Sequence, residues 1–273
     1  MIKGRGKKLV GFLKLALGLL VLGYLYVNFG DRFGVFFSER IDLLPLLLLI
    51  SFVLQLVIAS RLYTAILFLN NTTAPMQVLA AHVNASLLNY LPLPIGVAYR
   101  IQFLASFSNW TMATTAFVFV TAVWLVSGML VLIFILLDFP ILWLGSAIFI
   151  LVLLAVPRYP RVVGFIIVSV LIELLLFTAR VFLILGNSGY PESLNAGLLV
   201  YFSNSIASLA GVLPGGLGLA ESIALLSAET LSIDKSLVLN VALFSRGLDI
   251  TVCVAMGVIF RLYNLVTFAS DDA

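Results

Sequence analysis

The chain has 273 residues, of which 63% are apolar and 10% are charged, and its mean hydropathy is +1.21. Soluble domains carry about 45–50% apolar and about 25% charged residues, so this composition excludes a soluble enzyme, a nucleic-acid-binding domain and a disordered linker, and it indicates a protein of the lipid bilayer. The net charge of +3 requires no acidic partner, because five of the fifteen Lys and Arg residues fall within the first fourteen positions, a pattern typical of a cytoplasmic anchor beside a hydrophobic segment.

Six stretches are long and apolar enough to cross a bilayer, which takes roughly 20 residues. The first one follows the basic cluster and lacks the cleavage signal of a signal peptide, so we expect it to remain as an extra helix. The predicted spans are 9–29, 43–69, 111–137, 141–157, 162–186 and 236–266. They predict an all-α integral membrane protein in which residues 1–273 form a single polytopic domain.

Two further apolar stretches, 76–108 and 194–230, are interrupted near their middle. Proline removes a backbone donor and glycine favours non-helical backbone, and such a break is tolerated in lipid only where protein or a wet cavity covers it. We therefore interpret both stretches as re-entrant helical hairpins. The first break contains Pro92, Pro94 and Gly96, and the second contains Pro214, Gly215, Gly216 and Gly218.

The distribution of basic residues predicts the topology. The N-terminal cluster, Arg158 and Arg161 between the fourth and fifth spans, and Arg261 near the C-terminus all fall on one side of the predicted path. Because basic loops stay inside, we expect both termini in the cytoplasm and the protein in the cytoplasmic (inner) membrane.

The two broken stretches align with each other. Leu91-Pro92 matches Leu213-Pro214, and upstream 59–61 resembles 178–180, each segment ending in arginine. We interpret the match as an internal repeat, with repeat 1 at about 43–137 and repeat 2 at about 162–266. Three crossings separate equivalent points, so the second copy is inverted, as in many transporters.

Seven charged residues lie in or beside the predicted spans and breaks, where each costs roughly 2.5–3.5 kcal/mol at mid-bilayer depth. They are Arg61, Arg100, Glu173, Arg180, Glu221, Arg246 and Asp249. Spacing along the helix favours pairing of Arg246 with Asp249 and of Glu173 with Arg180. Either all seven form buried ion pairs that only support packing, or the extra arginines bind an anionic headgroup, since a planar guanidinium suits phosphate.

Several other residues each have two interpretations. His82 either packs through hydrogen bonds or acts as a proton-coupled gate, since histidine titrates near neutral pH. The glycines after Pro214 either let the backbone approach a ligand or only permit a turn. Trp124 is expected to pack or to anchor at the membrane interface. One histidine and one cysteine predict no metal centre, and we expect no cofactor and no nucleic-acid partner.

The segment from Leu213 to Glu221 resembles the Pro-Gly-Gly-x-Gly-x-x-Glu signature of the lysylphosphatidylglycerol synthetase transmembrane, or flippase-like, family. The segment from Leu91 to Arg100 and the residue Arg246 are similar to further elements of that family. The resemblance implies a protein that moves a lipid between leaflets. The soluble synthetase domain of the larger members does not follow, so no aminoacyl transfer and no enzyme activity is expected.

The sequence thus predicts a lipid translocase whose cationic midplane cavity accepts an anionic or aminoacylated phospholipid or a polyprenyl-phosphate-type lipid. Its predicted partners are membrane lipids, with a second copy of the chain or a membrane enzyme left open. Two other functions remain. One is a non-transporting partner of a glycosyltransferase or synthetase, and the other is an intramembrane lipid phosphatase, for which His82 is the only histidine base.

Overall fold

The computed structural model of the protein describes residues 41–89, 95–136, 160–185, 197, 199–201, 203–204, 219–230 and 235–271. Across these residues the protein is all-helical and contains no strand. A short 3-10 turn precedes the first α-helix. The helices are α1 (Leu44–Phe68), α2 (Pro75–Leu88), α3 (Ile95–Ala105), α4 (Trp110–Leu136), α5 (Pro160–Leu185), α6 (Leu219–Thr230) and α7 (Lys235–Asp271).

Four segments within these helices are long and apolar enough to cross a membrane. They are Leu44–Phe68, Trp110–Gly128, Arg161–Ile184 and Val241–Leu262. The predicted helices at 43–69, 111–137, 162–186 and 236–266 are therefore confirmed as helices, and their length and composition support a membrane protein. The predicted spans 9–29 and 141–157 lie outside the described residues.

Local sequence explains where several helices begin and end. Asn70 follows α1 with a φ of 56°, a left-handed conformation that asparagine tolerates better than most residues. Pro75 opens α2, where its missing N–H removes no helical hydrogen bond. Asn109 caps α4, because its side-chain oxygen accepts a hydrogen bond from the backbone N–H of Met112 at 2.9 Å.

One side chain joins the loops at the two ends of the α2–α3 segment. The amide nitrogen of Asn71 donates to the backbone carbonyl of Phe107 at 3.0 Å and to that of Leu69 at 3.2 Å. Residue 71 precedes α2 and residue 107 follows α3. This hydrogen bond therefore holds the two ends of the segment 71–107 close together.

Helix α1 is central among the described helices, since it contacts α2, α3, α4, α5 and α7. Its largest interface is with α5, where Ser51 accepts a hydrogen bond from Arg180 at 3.0 Å and the hydroxyls of Ser60 and Ser169 lie 3.1 Å apart. Residue numbers rise along α1 as they fall along α5, so the two helices are antiparallel. The predicted topology requires this orientation.

Two apolar cores lie on either side of this interface. One packs the first half of α1 against the second half of α5, α6 and α7. The other packs the second half of α1 against α2, α3, α4 and the first half of α5. Polar residues at the middle of α1 and α5 consequently lie between the two cores.

Helices α2 and α3 pack against each other across the first predicted break. Helix α3 already begins at Ile95, so the assignment of Gly96 to the break is wrong, and Gly96 belongs to the first turn of α3. The helix can resume this early because the first N–H groups of a helix need no intrahelical partner. A Cβ at Gly96 would lie 2.2 Å from the carbonyl oxygen of Ala85 and 1.9 Å from the side-chain oxygen of Asn89. Only glycine permits this approach.

Pro92 and Pro94 lie outside the described residues, as do Pro214, Gly215, Gly216 and Gly218 of the second break. The described residues of the second predicted hairpin are α6 and the helical positions 197, 199–201 and 203–204.

We expect Gly96→Ala to lower the free energy of unfolding by about 1–3 kcal/mol, because the added methyl group must displace the backbone carbonyl of Ala85. The matched control is Gly164→Ala on α5, where a Cβ would meet nothing within 4 Å. Alanine is a better helix former than glycine, so this control should be as stable as the wild type or more stable. Thermal unfolding of the purified protein in detergent measures both. An unchanged midpoint for Gly96→Ala would contradict the close approach of α2 and α3.

Candidate functional site

A cavity of about 350 Å³ lies between the helices. Residues of α1, α2, α3, α4, α5 and α7 line it, together with two residues from the second predicted hairpin region. The polar and charged lining residues are Arg61, His82, Asn89, Arg100, Thr121, Trp124, Glu173, Tyr201, Asn204, Arg246 and Asp249. Three guanidinium groups and two carboxylates among them give this lining a net charge of +1.

The centre of the site is an ion pair between Arg61 of α1 and Glu173 of α5. The same carboxylate oxygen of Glu173 accepts a hydrogen bond from the indole N–H of Trp124 at 3.2 Å. The guanidinium carbon of Arg61 lies 3.7 Å from the centroid of the Trp124 ring, which adds a cation–π contact. Trp124 and Glu173 both lie near the middle of their helices, α4 and α5, so the pair is at mid-depth in two helices that can span a membrane.

A second ion pair lies beside the cavity. The guanidinium of Arg180, whose side chain is fully buried, donates to the two carboxylate oxygens of Asp249 at 2.5 Å and 3.3 Å. It also donates to the hydroxyl of Ser51 and lies 4.8 Å from the ring centroid of Phe177. Asp249 lines the cavity, whereas Arg180 lies behind it. Arg180 therefore holds a lining carboxylate in place rather than facing the space itself.

The pairing of Glu173 with Arg180, expected from sequence spacing, is wrong. Each residue pairs instead with a residue of a different helix: Glu173 with Arg61, and Arg180 with Asp249. Seven residues span two helical turns, or about 10 Å along the axis, which is too far for direct contact between these two side chains. Asp249 forms an ion pair across the α5–α7 interface, with Arg180.

Arg100 occupies a different environment from Arg61 and Arg180. Its guanidinium donates to the hydroxyl of Ser86 at 3.3 Å, and it forms no ion pair with a carboxylate of the described residues. The Ser86 hydroxyl lies 3.4 Å from Nε2 of His82, which in turn lies 3.0 Å from the side-chain oxygen of Gln55. A chain of polar contacts thus runs from α3 through α2 to α1.

Arg246 of α7 also lines the cavity and is only 8% exposed. Glu221 lies in the first part of α6, but its side chain is outside the described part of the structure. Of the residues proposed from sequence, the structure brings Arg61, Arg100, Glu173, Arg246 and Asp249 to one cavity and places Arg180 directly behind it.

Sequence reasoning missed Trp124 and Gln55 as members of the site. Tryptophan in membrane helices is commonest at the interfaces, yet Trp124 falls in the middle of a predicted span, and this position is the signal that could have revealed it. Gln55 is an uncharged polar residue inside an apolar run, the kind of residue that commonly bonds between helices. His82 is buried and hydrogen-bonded to Gln55, as one of its two predicted roles requires.

The arrangement is suited to binding an anion. Guanidinium groups supply directed N–H donors for phosphate or carboxylate oxygens, and the surrounding apolar helices strengthen that attraction by excluding water. Within the described residues no three His, Cys, Asp or Glu side chains converge as a metal site would require.

Comparison of the chain with protein-family models, with curated proteins and with solved structures finds no match in any of the three.

We expect removal of one partner of the Arg61–Glu173 pair to destabilise the protein more than removal of both. Glu173→Gln leaves the guanidinium of Arg61 without its carboxylate and should cost about 3 kcal/mol of unfolding free energy. Adding Arg61→Met to this variant removes the uncompensated charge, so the double variant should recover part of the loss. Thermal unfolding of the wild type, both single variants and the double variant gives the coupling energy. Strictly additive losses would show that the two side chains do not stabilise each other.

Proposed function

We propose that the protein is a flippase-like membrane lipid translocase, which moves an anionic or aminoacylated phospholipid or a polyprenyl-phosphate-type lipid between leaflets. The observation that carries the proposal is the cavity lined by Arg61, Arg100 and Arg246 within a bundle of apolar helices. Ionisable residues at bilayer depth are costly, so a group of them facing one cavity favours a functional site over chance. Phosphate fits the guanidinium groups best, because their planar forks donate paired hydrogen bonds.

The arginines divide into two roles under this proposal. Arg61 and Arg180 already hold carboxylates, and their task is to keep α1, α5 and α7 together around the cavity. Arg100 forms no ion pair with a described carboxylate and offers its donors to a ligand. It is therefore the first candidate for contact with a headgroup phosphate.

The size of the cavity favours a headgroup rather than a whole lipid. Ligand pockets range from about 300 to about 1,000 Å³, and a cavity of about 350 Å³ lies at the lower end. A phosphate-bearing headgroup would enter it while the acyl or prenyl chains remain in the surrounding lipid. The charge would then cross the bilayer depth inside protein, where guanidinium groups replace its hydration.

Contacts of two equivalent arginines support the inverted repeat that this mechanism needs. Arg61 and Arg180 occupy matching positions in the proposed repeats. Arg61 contacts Trp124 on α4, and Arg180 contacts Asp249 on α7. Helices α4 and α7 are the long helices that follow the first and second predicted hairpins, and α1 and α5 are antiparallel. Rocking of one repeat against the other would give alternating access to the cavity.

The resemblance of the segment from Leu213 to Glu221 to the lysylphosphatidylglycerol synthetase transmembrane family remains a prediction and favours the same function. Under the proposal the protein resides in the cytoplasmic membrane with both termini inside, as the basic residues predict. Its partners are membrane lipids, with a second copy of the chain or a membrane enzyme as further candidates.

We expect Arg100→Gln to slow lipid translocation about tenfold or more, because it removes a charged donor worth about 1.5–3 kcal/mol to a bound phosphate. The measurement is leaflet-resolved transport of fluorescent anionic, aminoacylated and polyprenyl-phosphate lipids in proteoliposomes. Arg161→Gln is the matched control, since Arg161 is exposed in the first turn of α5 and does not line the cavity. This control should transport at the wild-type rate.

Three other results would count against the proposal. If proteoliposomes with the wild-type protein move none of the lipids faster than protein-free vesicles do, the translocase proposal is contradicted. Full transport by Arg100→Gln would remove this arginine from the headgroup site. Release of phosphate from lipid diphosphates by purified protein would favour the intramembrane phosphatase instead.

A further inference from the structure

A buried histidine lies next to the arginine that is the first candidate for headgroup contact. His82 is 3% exposed and lines the cavity. The hydroxyl of Ser86 lies 3.4 Å from Nε2 of His82 and accepts a hydrogen bond from Arg100 at 3.3 Å. The hydroxyl of Ser86 therefore bridges the imidazole of His82 and the guanidinium of Arg100.

The hydrogen bonds of His82 leave one ring nitrogen available. The side-chain oxygen of Gln55 can only accept, so Nε2 of His82 carries a hydrogen and donates across the 3.0 Å contact. The other ring nitrogen, Nδ1, forms no hydrogen bond with any residue in the described ranges. His82 can take up a proton at Nδ1 while it keeps its bond to Gln55. Imidazole is the side chain whose ordinary titration falls between about pH 5 and about pH 8.

Burial in an apolar interior, together with positive charges on nearby helices, disfavours that proton. The charged and titratable groups that face this region are, by helix, Arg61 on α1, Arg100 on α3, Glu173 on α5, Arg246, Asp249 and Cys253 on α7, and Tyr201. Glu173 is engaged by Arg61, and Asp249 is engaged by Arg180. Of the cationic groups, Arg100 and Arg61 repel a protonated imidazole at His82.

We infer that binding of an anionic headgroup in the cavity is coupled to uptake of one proton by His82, so that lipid and proton occupy the site together. The inference rests on the proposed function. A phosphate at Arg100 offsets the positive charge that repels a protonated imidazole, and this attraction is stronger in an apolar interior than in water. The proton comes from solution to Nδ1 as the headgroup enters, and it returns to solution when the headgroup leaves.

Two quantitative consequences follow from this coupling. Headgroup affinity must rise as the pH falls, by at most tenfold per pH unit for a single proton. The effect is reciprocal, so the bound lipid must increase the protonated fraction of His82 at fixed pH. Proton uptake on one side of the membrane and release on the other would let a proton gradient drive the lipid in one direction.

His82 is the sole histidine of the 273 residues, which permits a direct test. The full chain, labelled with 15N-histidine and held in detergent, gives imidazole signals from one residue whose shifts report the protonated fraction. The probe is dihexanoyl phosphatidylglycerol, whose phosphodiester stays ionised across the pH range of histidine titration. Calorimetry of the same titration, in two buffers of different ionisation enthalpy, counts the protons taken up per bound lipid.

For the wild type we expect the lipid to raise the protonated fraction of His82 and to draw a measurable fraction of one proton from the buffer at about pH 7. His82→Gln keeps a donor for Gln55, so it should bind the lipid more weakly, with no proton uptake and no pH dependence. Cys253→Ser removes another titratable group near Arg100, lies outside the cavity lining, and should behave as the wild type.

The possible failures are distinguishable. Lipid binding by the wild type with no proton uptake and no change in the imidazole signal overturns the coupling and leaves the translocase proposal standing. Proton uptake that persists in His82→Gln also overturns it, because another group must then titrate. Absence of any lipid binding by the wild type, seen as no heat above that of empty micelles, overturns both proposals.

Discussion

Two arginines at the α1–α5 interface, Arg61 partly buried and Arg180 fully buried, need carboxylates, and this requirement decides which helices lie beside each other. A guanidinium inside an apolar bundle is strongly destabilising when unpaired and tolerable when it is paired and hydrogen-bonded. Arg61 finds Glu173 on α5, and Arg180 finds Asp249 on α7. Each pair joins two helices that apolar packing alone would leave free to slide, because leucine-rich surfaces fit one another in many registers. The cavity lies among the helices that these two ion pairs hold together.

The paired arginines and Arg100 illustrate two uses of the same side chain. An arginine that is already paired with a carboxylate binds a further anion weakly, since the anion would have to displace that carboxylate. Arg100 is held only by a neutral hydroxyl in the described structure, so its charge is available at small cost. The described lining residues carry a net charge of +1, which attracts an anion without binding it tightly.

The sequence predicted the helices well and their neighbours poorly. Long apolar runs predict helices such as α1 and α5 because a membrane-spanning helix needs about 20 mostly apolar residues, whatever the rest of the chain contains. The candidate residues Arg61, Glu173 and Asp249 were recognisable for the same reason, since charge stands out against such a background. Their partners were not, because spacing within one helix says nothing about which helix lies opposite. Trp124 was missed since its role depends on the guanidinium above its ring, a contact across two helices.

The hydrogen bond from Asn71 to the carbonyl of Phe107 has a consequence for how the fold could vary. It brings the two ends of the α2–α3 segment together, so the chain enters and leaves this segment at nearly the same point. A module attached in this way can be exchanged, shortened or lengthened without stretching the remainder of the chain. The chain between residues 71 and 107 could therefore change in length, while the ion pairs of Arg61 and Arg180 keep the helices around the cavity in place.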